Sequence, residues 1–186
     1  MQVFEKYQEI PPPAQGAVVV IGNFDGVHRG HTIVIKQAAT LAKKLNKPLA
    51  VLTFEPHPRK LFRPDDPPFR ITPFSLKMER LKAAGVEIVF SLPFNWDLAS
   101  FPAEKFVQDV LIDGLKAAHI VVGYDFCFGQ LRKGTPETIQ AAGQPTTIVD
   151  EVFDAGDEKL SSSSIRQNLR HGKIKEANAL LGWNWE

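Results

Sequence analysis

Cysteine is nearly missing from this 186-residue chain: Cys127 stands alone, so no intrachain disulfide can form, which is compatible with a reducing cytoplasm. An excess of one charge sign is missing too. With 22 Lys and Arg against 21 Asp and Glu, the net charge of +1 lacks the broad electrostatic footprint of a nucleic-acid or anionic-membrane binder. Any phosphate must therefore be handled by local groups. No apolar run approaches the ~20 residues of a membrane span. Residues 1–13 carry Glu5, Lys6 and Glu9 where a secretory signal would have its apolar core. Internal repeats and low-complexity tracts are also lacking. What is there, 44% hydrophobic and 23% charged residues, is ordinary for one packed domain of this length.

Apolar runs and helical patterns alternate along the chain. The prolines 11–13 lead into an uninterrupted apolar stretch, 17–21, that suits a strand covered on both faces. Ile35, Ala38, Ala42 and Leu45 then fall at helical spacing, and Asn46-Lys47-Pro48 stops that helix. A second strand at 49–54 completes a right-handed βαβ unit with parallel strands. Residues 55–71 hold five prolines and cannot be regular for long. Thr72 or Ser75 is placed to cap a helix running to Ala84, with Gly85 as its stop. Further strands are expected at 88–90, 119–122 and 146–153, and a helix at 100–116 with Phe106, Val107, Val110 and Leu111 on its apolar side. Thr135-Pro136 opens a short helix, and the chain closes in two short helices separated at Gly172. The pattern implies an α/β fold around a mostly parallel sheet of five strands.

Between the first strand and its helix lies Gly22-Asn23-Phe24-Asp25-Gly26-Val27-His28-Arg29-Gly30-His31. A strand that breaks at glycine and re-enters as a helix puts backbone N–H groups at the carboxyl edge of a sheet, where anions bind. His28 and His31, three apart, share one helical face and can donate to phosphate oxygens, and Gly30 leaves room for a ligand at the backbone. An H-x-x-H pair could also hold zinc, but no third ligand stands at metal-like spacing, so no metal ligand is assigned.

The run G-x-F-D-G-x-H-x-G-H resembles the signature of the bacterial bifunctional FAD synthetase family (riboflavin kinase/FMN adenylyltransferase), in its N-terminal adenylyltransferase module. Three later stretches agree. Thr53-Phe54-Glu55-Pro56-His57-Pro58 resembles T-F-x-P-H-P, Val121 to Gly134 resembles V-V-G-x-D/N-F-x-F-G-x-x-R-x-G, and Leu160 to Arg166 resembles I/V-S-S-T/S-x-I/V-R. Leu160 and Ser163 are mild departures. The close Ala177 to Gly182 resembles the A-x-x-L-L-G link to a second, riboflavin kinase module. That module is absent from residues 1–186, which are expected to be one adenylyltransferase domain with a helical segment from about 160, so riboflavin phosphorylation is not expected.

The resemblance implies a doubly wound, Rossmann-like nucleotidylyltransferase (HxGH) fold and the reaction ATP plus FMN to FAD plus pyrophosphate, with Mg²⁺ accompanying ATP. His28, His31, Ser162 and Arg166 are the expected catalytic residues. Gly22, Phe24, Asp25, His28, Gly30, His31, Gly123, Asp125, Ser161, Ser162 and Arg166 are expected around ATP. Phe54, Pro56, His57, Pro58, Phe62, Asp125 and Phe128 are expected around the flavin. From the residues alone, Phe128 can stack on a ring, Asp125 can accept from a ribose hydroxyl or adenine amine, and Arg132 can meet a phosphate or only solvent. Two rival readings share much of this pattern: a nucleotidylyltransferase for another phosphate substrate, and a non-catalytic flavin or ATP sensor.

Overall fold

The computed structural model describes residues 1–153 and 159–185. Six parallel strands form one sheet in the order β1-β4-β3-β2-β5-β6. They are β1 (Gln2–Phe4), β2 (Val18–Ile21), β3 (Leu49–Glu55), β4 (Ile88–Pro93), β5 (His119–Gly123) and β6 (Thr146–Val149). The expected five are all present. The sixth, β1, is a three-residue edge strand paired with β4 through Val3 and Val89, too short and too polar for its periodicity to show. The reading of 146–153 as strand is too long: pairing with β5 ends at Val149.

Alternation along β2 explains its unbroken apolar run. Val18 and Val20 face one core with Ile35, Ala38 and Ala42 of helix α1 (Arg29–Leu45), whereas Val19 and Ile21 face another with Val110 and Leu111. Leu45 departs from its expected place and is exposed, since it sits in the last turn before Asn46 takes the left-handed conformation at φ 51°. Between β3 and β4 lie a five-residue helix α2 (Pro58–Phe62) and α3 (Phe74–Ala83). Neither Thr72 nor Ser75 caps α3. The residue before it is Pro73, and the Thr72 hydroxyl is buried, accepting from the Gly26 N–H at 3.1 Å.

The helix expected at 100–116 is also divided. Short helices α4 (Trp96–Ala99) and α5 (Ala103–Lys105) precede a π-helical segment, Phe106–Gly114, that presents the four expected apolar residues to the core. After β5 come a 3-10 turn (Gln130–Arg132) and α6 (Pro136–Ala141), which Thr135 opens as expected. The close is α7 (Ser162–Arg170) and α8 (Ile174–Leu181), turning at Gly172 and ending at Gly182, both at positive φ. Glu186, the end of that expected segment, lies outside the described residues.

The strand order positions the site. From β2 the chain winds outward through β3 and β4, then returns to the other side of β2 for β5 and β6. The connections after β2 and β5 therefore leave in opposite directions and open a crevice at the carboxyl ends of the strands.

Candidate active site

The loop after β2 has a backbone that few side chains adopt freely. Phe24 (φ 52°), Gly26 (φ 91°) and Val27 (φ 39°) are all left-handed, a conformation that a β-branched residue takes only under constraint. The constraint comes from Asp25. Its carboxylate accepts from the Ile71 N–H at 2.9 Å, the Thr72 N–H at 3.2 Å and Arg166 Nη2 at 2.7 Å. The carboxylate expected to meet nucleotide is thus engaged by protein donors and ties the loop to α7. Two tryptophans finish the tether: Trp183 Nε1 donates to the Gly26 carbonyl at 3.0 Å and Trp185 Nε1 to the Ile71 carbonyl at 2.8 Å.

His28 is placed one step earlier than expected, as the N-cap of α1 rather than in its first turn, with Nδ1 accepting from the His31 N–H at 3.4 Å. The rings still meet, stacked with centroids 3.7 Å apart. Phe24 is buried against the His31 ring at 5.1 Å, so its side chain belongs to the core and supports the histidine from behind. Gly30 is needed for a different neighbour than expected. A Cβ there would lie 3.0 Å from both His28 Cε1 and the Leu160 carbonyl oxygen, so the close approach is made by the protein's own atoms.

Burial pushes the His28 imidazole down to about 4, with Asp25 opposing and Arg166 reinforcing the shift. His31 is held well below the ordinary histidine range, first by burial, then by His28, Lys77 and Arg166. Both rings are therefore neutral at pH 7, when each has one N–H to donate. With His28 Nδ1 already accepting, its proton resides on Nε2. His31 Nδ1 is buried without a partner among the described residues, and a bare acceptor is the cheaper orphan than a buried N–H, which again favours Nε2–H.

Facing them is the start of α7. Ser161 is its N-cap, accepting from the Ser164 N–H at 3.1 Å, and Ser162 Oγ donates to the Asp25 carbonyl at 2.8 Å. Arg166 also donates Nε to the Phe69 carbonyl at 2.9 Å. The histidine loop and the serine-arginine turn, remote in sequence, are thus joined through Asp25.

Beside this lies a cavity of about 890 Å³. Gly22, Phe54, His57, Pro58, Phe62, Asp125 and Phe128 line it, bringing together the expected flavin residues other than Pro56. His57 Nδ1 accepts from the Arg59 N–H at 3.1 Å, and burial lowers the imidazole to about 4, with Asp25 opposing and Arg166, Lys77 and Arg70 adding to the shift. The ring also packs edge-on to Phe69 at 5.1 Å, whose carbonyl Arg166 holds, so it stands at the junction between the cavity and the Asp25–Arg166 tether beneath the histidine pair. Asp125 is largely exposed, 3.7 Å from Lys159 Nζ; a Cβ placed on Gly123, two residues earlier, would lie 3.4 Å from its carboxylate. Arg132 lines the same cavity.

Sequence reasoning missed several contributors. Phe94, Trp96, Phe106 and Phe126 complete an aromatic wall, with Phe62 packed edge-on to Phe94 at 5.8 Å and Trp96 at 5.7 Å. Phe94 and Trp96 follow β4 onto the same rim, which was the available signal. Lys77 is 3% exposed, and the signal was its phase with Leu81, one turn later on the buried face of α3. Among the described residues no three His, Cys, Asp or Glu side chains are grouped to hold a metal. None of the helices among them is long and apolar enough to cross a membrane.

A family model for FAD synthetase matches residues 10–164. The chain is similar to the bifunctional riboflavin kinase/FMN adenylyltransferase of Escherichia coli (strain K12), 36% identical over 173 residues, covering 91% of this chain and 55% of that protein. It spans 53–59% of the length of the curated relatives it matches. A solved structure described as a macrolide-efflux protein from Streptococcus pneumoniae superposes with a TM-score of 0.85 at 32% identity, over 98% of this chain and 60% of that one. Pantoate-beta-alanine ligase from Francisella tularensis, at 14% identity and a TM-score of 0.55 over 97% of this chain and 86% of that one, shares the fold alone.

Proposed function

The chain belongs to the FAD synthetase family, and from that premise we propose that it is an FMN adenylyltransferase. The observation that carries the reading is the junction at His57, where an aromatic cavity of about 890 Å³ meets two stacked, neutral histidines tied to a serine-arginine helix start. Flat aromatic walls suit the isoalloxazine, and the adjoining donors suit phosphates.

An FMN phosphate oxygen attacks the α-phosphorus of ATP. As that P–O bond forms, the bond from the α-phosphorus to the α,β-bridging oxygen breaks, and pyrophosphate leaves with the electron pair. The nucleophile is already ionised, so the protein needs only to align the phosphates and stabilise developing charge. His28 and His31 donate Nε2–H to the triphosphate, and Ser162 and Arg166 serve the departing pyrophosphate. Asp25 holds both groups at one spacing. Ser161, Gly123 and Asp125 border the nucleoside, while Phe54, Pro58, Phe62 and Phe128 hold the flavin, with Pro56 shaping the loop beneath. Mg²⁺ enters with ATP as part of the substrate; among the described residues no three His, Cys, Asp or Glu side chains are grouped to hold it. Residues 1–186 form one such unit, its last helices packed on the nucleotide loop.

The test is an assay with ATP, FMN and Mg²⁺, following FAD and pyrophosphate together. Equimolar release of both is expected. Binding of ATP or FMN without pyrophosphate release would replace the reading with that of a sensor, and turnover with another phosphate acceptor but not FMN would replace the substrate.

A further inference from the structure

Lys77 is a charge for which the reaction as described has no use. Its side chain is 4% exposed, so the ammonium has given up almost all its hydration. What replaces that hydration is loose: the Thr53 hydroxyl at 3.4 Å, the Asn23 carbonyl at 3.5 Å and Glu55 Oε2 at 3.6 Å. None is a short charge-assisted bond. Glu55 is not dedicated to it either, because Arg70 holds both carboxylate oxygens at 2.7 and 2.9 Å. A lysine buried for stability alone would be poorly repaid here, since desolvating an ammonium costs several kcal/mol unless close partners return it.

Its location suggests what the expense serves. The three acceptors are at or beyond the carboxyl ends of β2 and β3, directly before the loop that carries His28 and His31. The Asn23 carbonyl receives the Thr53 hydroxyl at 3.2 Å as well as Lys77, and Asn23 lines the cavity. Among the described residues, the ionised groups that act on the histidines or on Lys77 are Asp25 and Glu55 on one side and Arg70, Arg166 and Lys77 on the other. With the three imidazoles neutral, that leaves one positive charge in excess at the place where phosphates must gather.

We infer that Lys77 is a positioning residue for the adenylyl transfer: its buried ammonium lies 3.5 Å from the Asn23 carbonyl at the root of the histidine loop and supplies the unbalanced positive charge that the neutral His28–His31 pair lacks. It acts through the loop and through space, without touching substrate. The inference rests on the proposed reaction, and the two can fail separately.

The experiment compares the full chain with Lys77→Met, which keeps length and volume while removing charge. Glu55 keeps Arg70 and Asn23 keeps the Thr53 hydroxyl, so no partner is orphaned. The expected result is a melting temperature equal to or above wild type, a kcat lower by about tenfold or more, in line with the loss of a preorganised charge, and an ATP KM changed by less than about threefold, as for a group acting mainly on the transition state. Lys77→Gln, polar and shorter, should lose kcat in the same way. A kcat within about twofold of wild type in either folded variant overturns the inference, as does a loss that merely tracks a lower folded fraction. Failure of both variants to fold assigns Lys77 a structural role and overturns it too. A wild-type chain that makes no FAD would instead refute the proposed reaction.

Discussion

Arg166 reaches across 141 positions of sequence to place Nη2 2.7 Å from Oδ2 of Asp25. Both side chains are largely buried, and the pair is the point at which the helix start of α7 is locked to the loop after β2. Replacing Arg166 with Met leaves a buried carboxylate without its cation, and should destabilise the fold by about 3 kcal/mol in urea titrations at pH 7. Combining it with Asp25→Asn removes the orphaned charge. The double variant should then cost less than the sum of the singles; strict additivity would show that the two residues are not coupled.

His31→Ala should lower kcat by about two to three orders of magnitude, the usual loss for a donor to a developing charge. Among the described residues the ring's aromatic neighbours are His28 and Phe24, so the far-ultraviolet dichroism spectrum should be retained. A steady-state kcat within a few-fold of wild type would remove His31 from the chemistry.

Stability should fall on acidification. An unfolded histidine takes up a proton near pH 6.5, whereas folded His28 resists until about 4, so the unfolded state binds more protons between those values. Stability is therefore full above about 6.5 and is lost as the pH falls through that window, at about 1.4 kcal/mol per pH unit for His28 alone. Below about 4 its contribution levels off. His57 adds in the same window and direction. Thermal melts between pH 7.5 and 4 check the sign, and a flat profile would mean that the imidazoles are solvated.

Gly30→Ala should be damaging without any change of charge. The added methyl would meet the Leu160 backbone oxygen and the His28 ring at 3.0 Å, and a backbone oxygen cannot swing aside. Overpacking of this kind costs about 1–3 kcal/mol. Because it separates the histidine loop from the residue leading into α7, kcat should drop further than stability alone requires, as measured on the folded fraction.

Much of this was legible without coordinates because it is written in short-range patterns. The apolar runs of β2 and β3, the stops at Asn46 and Gly85, the break at Gly172 and the opening at Thr135-Pro136 depend on neighbours a few residues away, and so periodicity and capping reveal them. The cavity residues Phe54, His57, Phe62 and Phe128 were readable for a related reason, as rings placed just beyond strand ends. Leu45 misled because the chain turns left-handed at the next residue, Ser75 because the helix already begins at Phe74, and Thr72 because its hydroxyl is taken by the Gly26 N–H from a distant stretch of chain.

By itself, then, the order of residues determined that strands alternate with helices, that the stretches after four of the strands carry rings, imidazoles or serines, and that burial must be two-sided. Only the folded chain decided that Asp25 is spent on Ile71, Thr72 and Arg166, that Gly30 makes room for Leu160, and that a lysine from α3 is drawn under the histidine loop. Those outcomes depend on which charges end as neighbours once water is excluded. Such pairings join residues tens to more than a hundred positions apart, and no local periodicity records them.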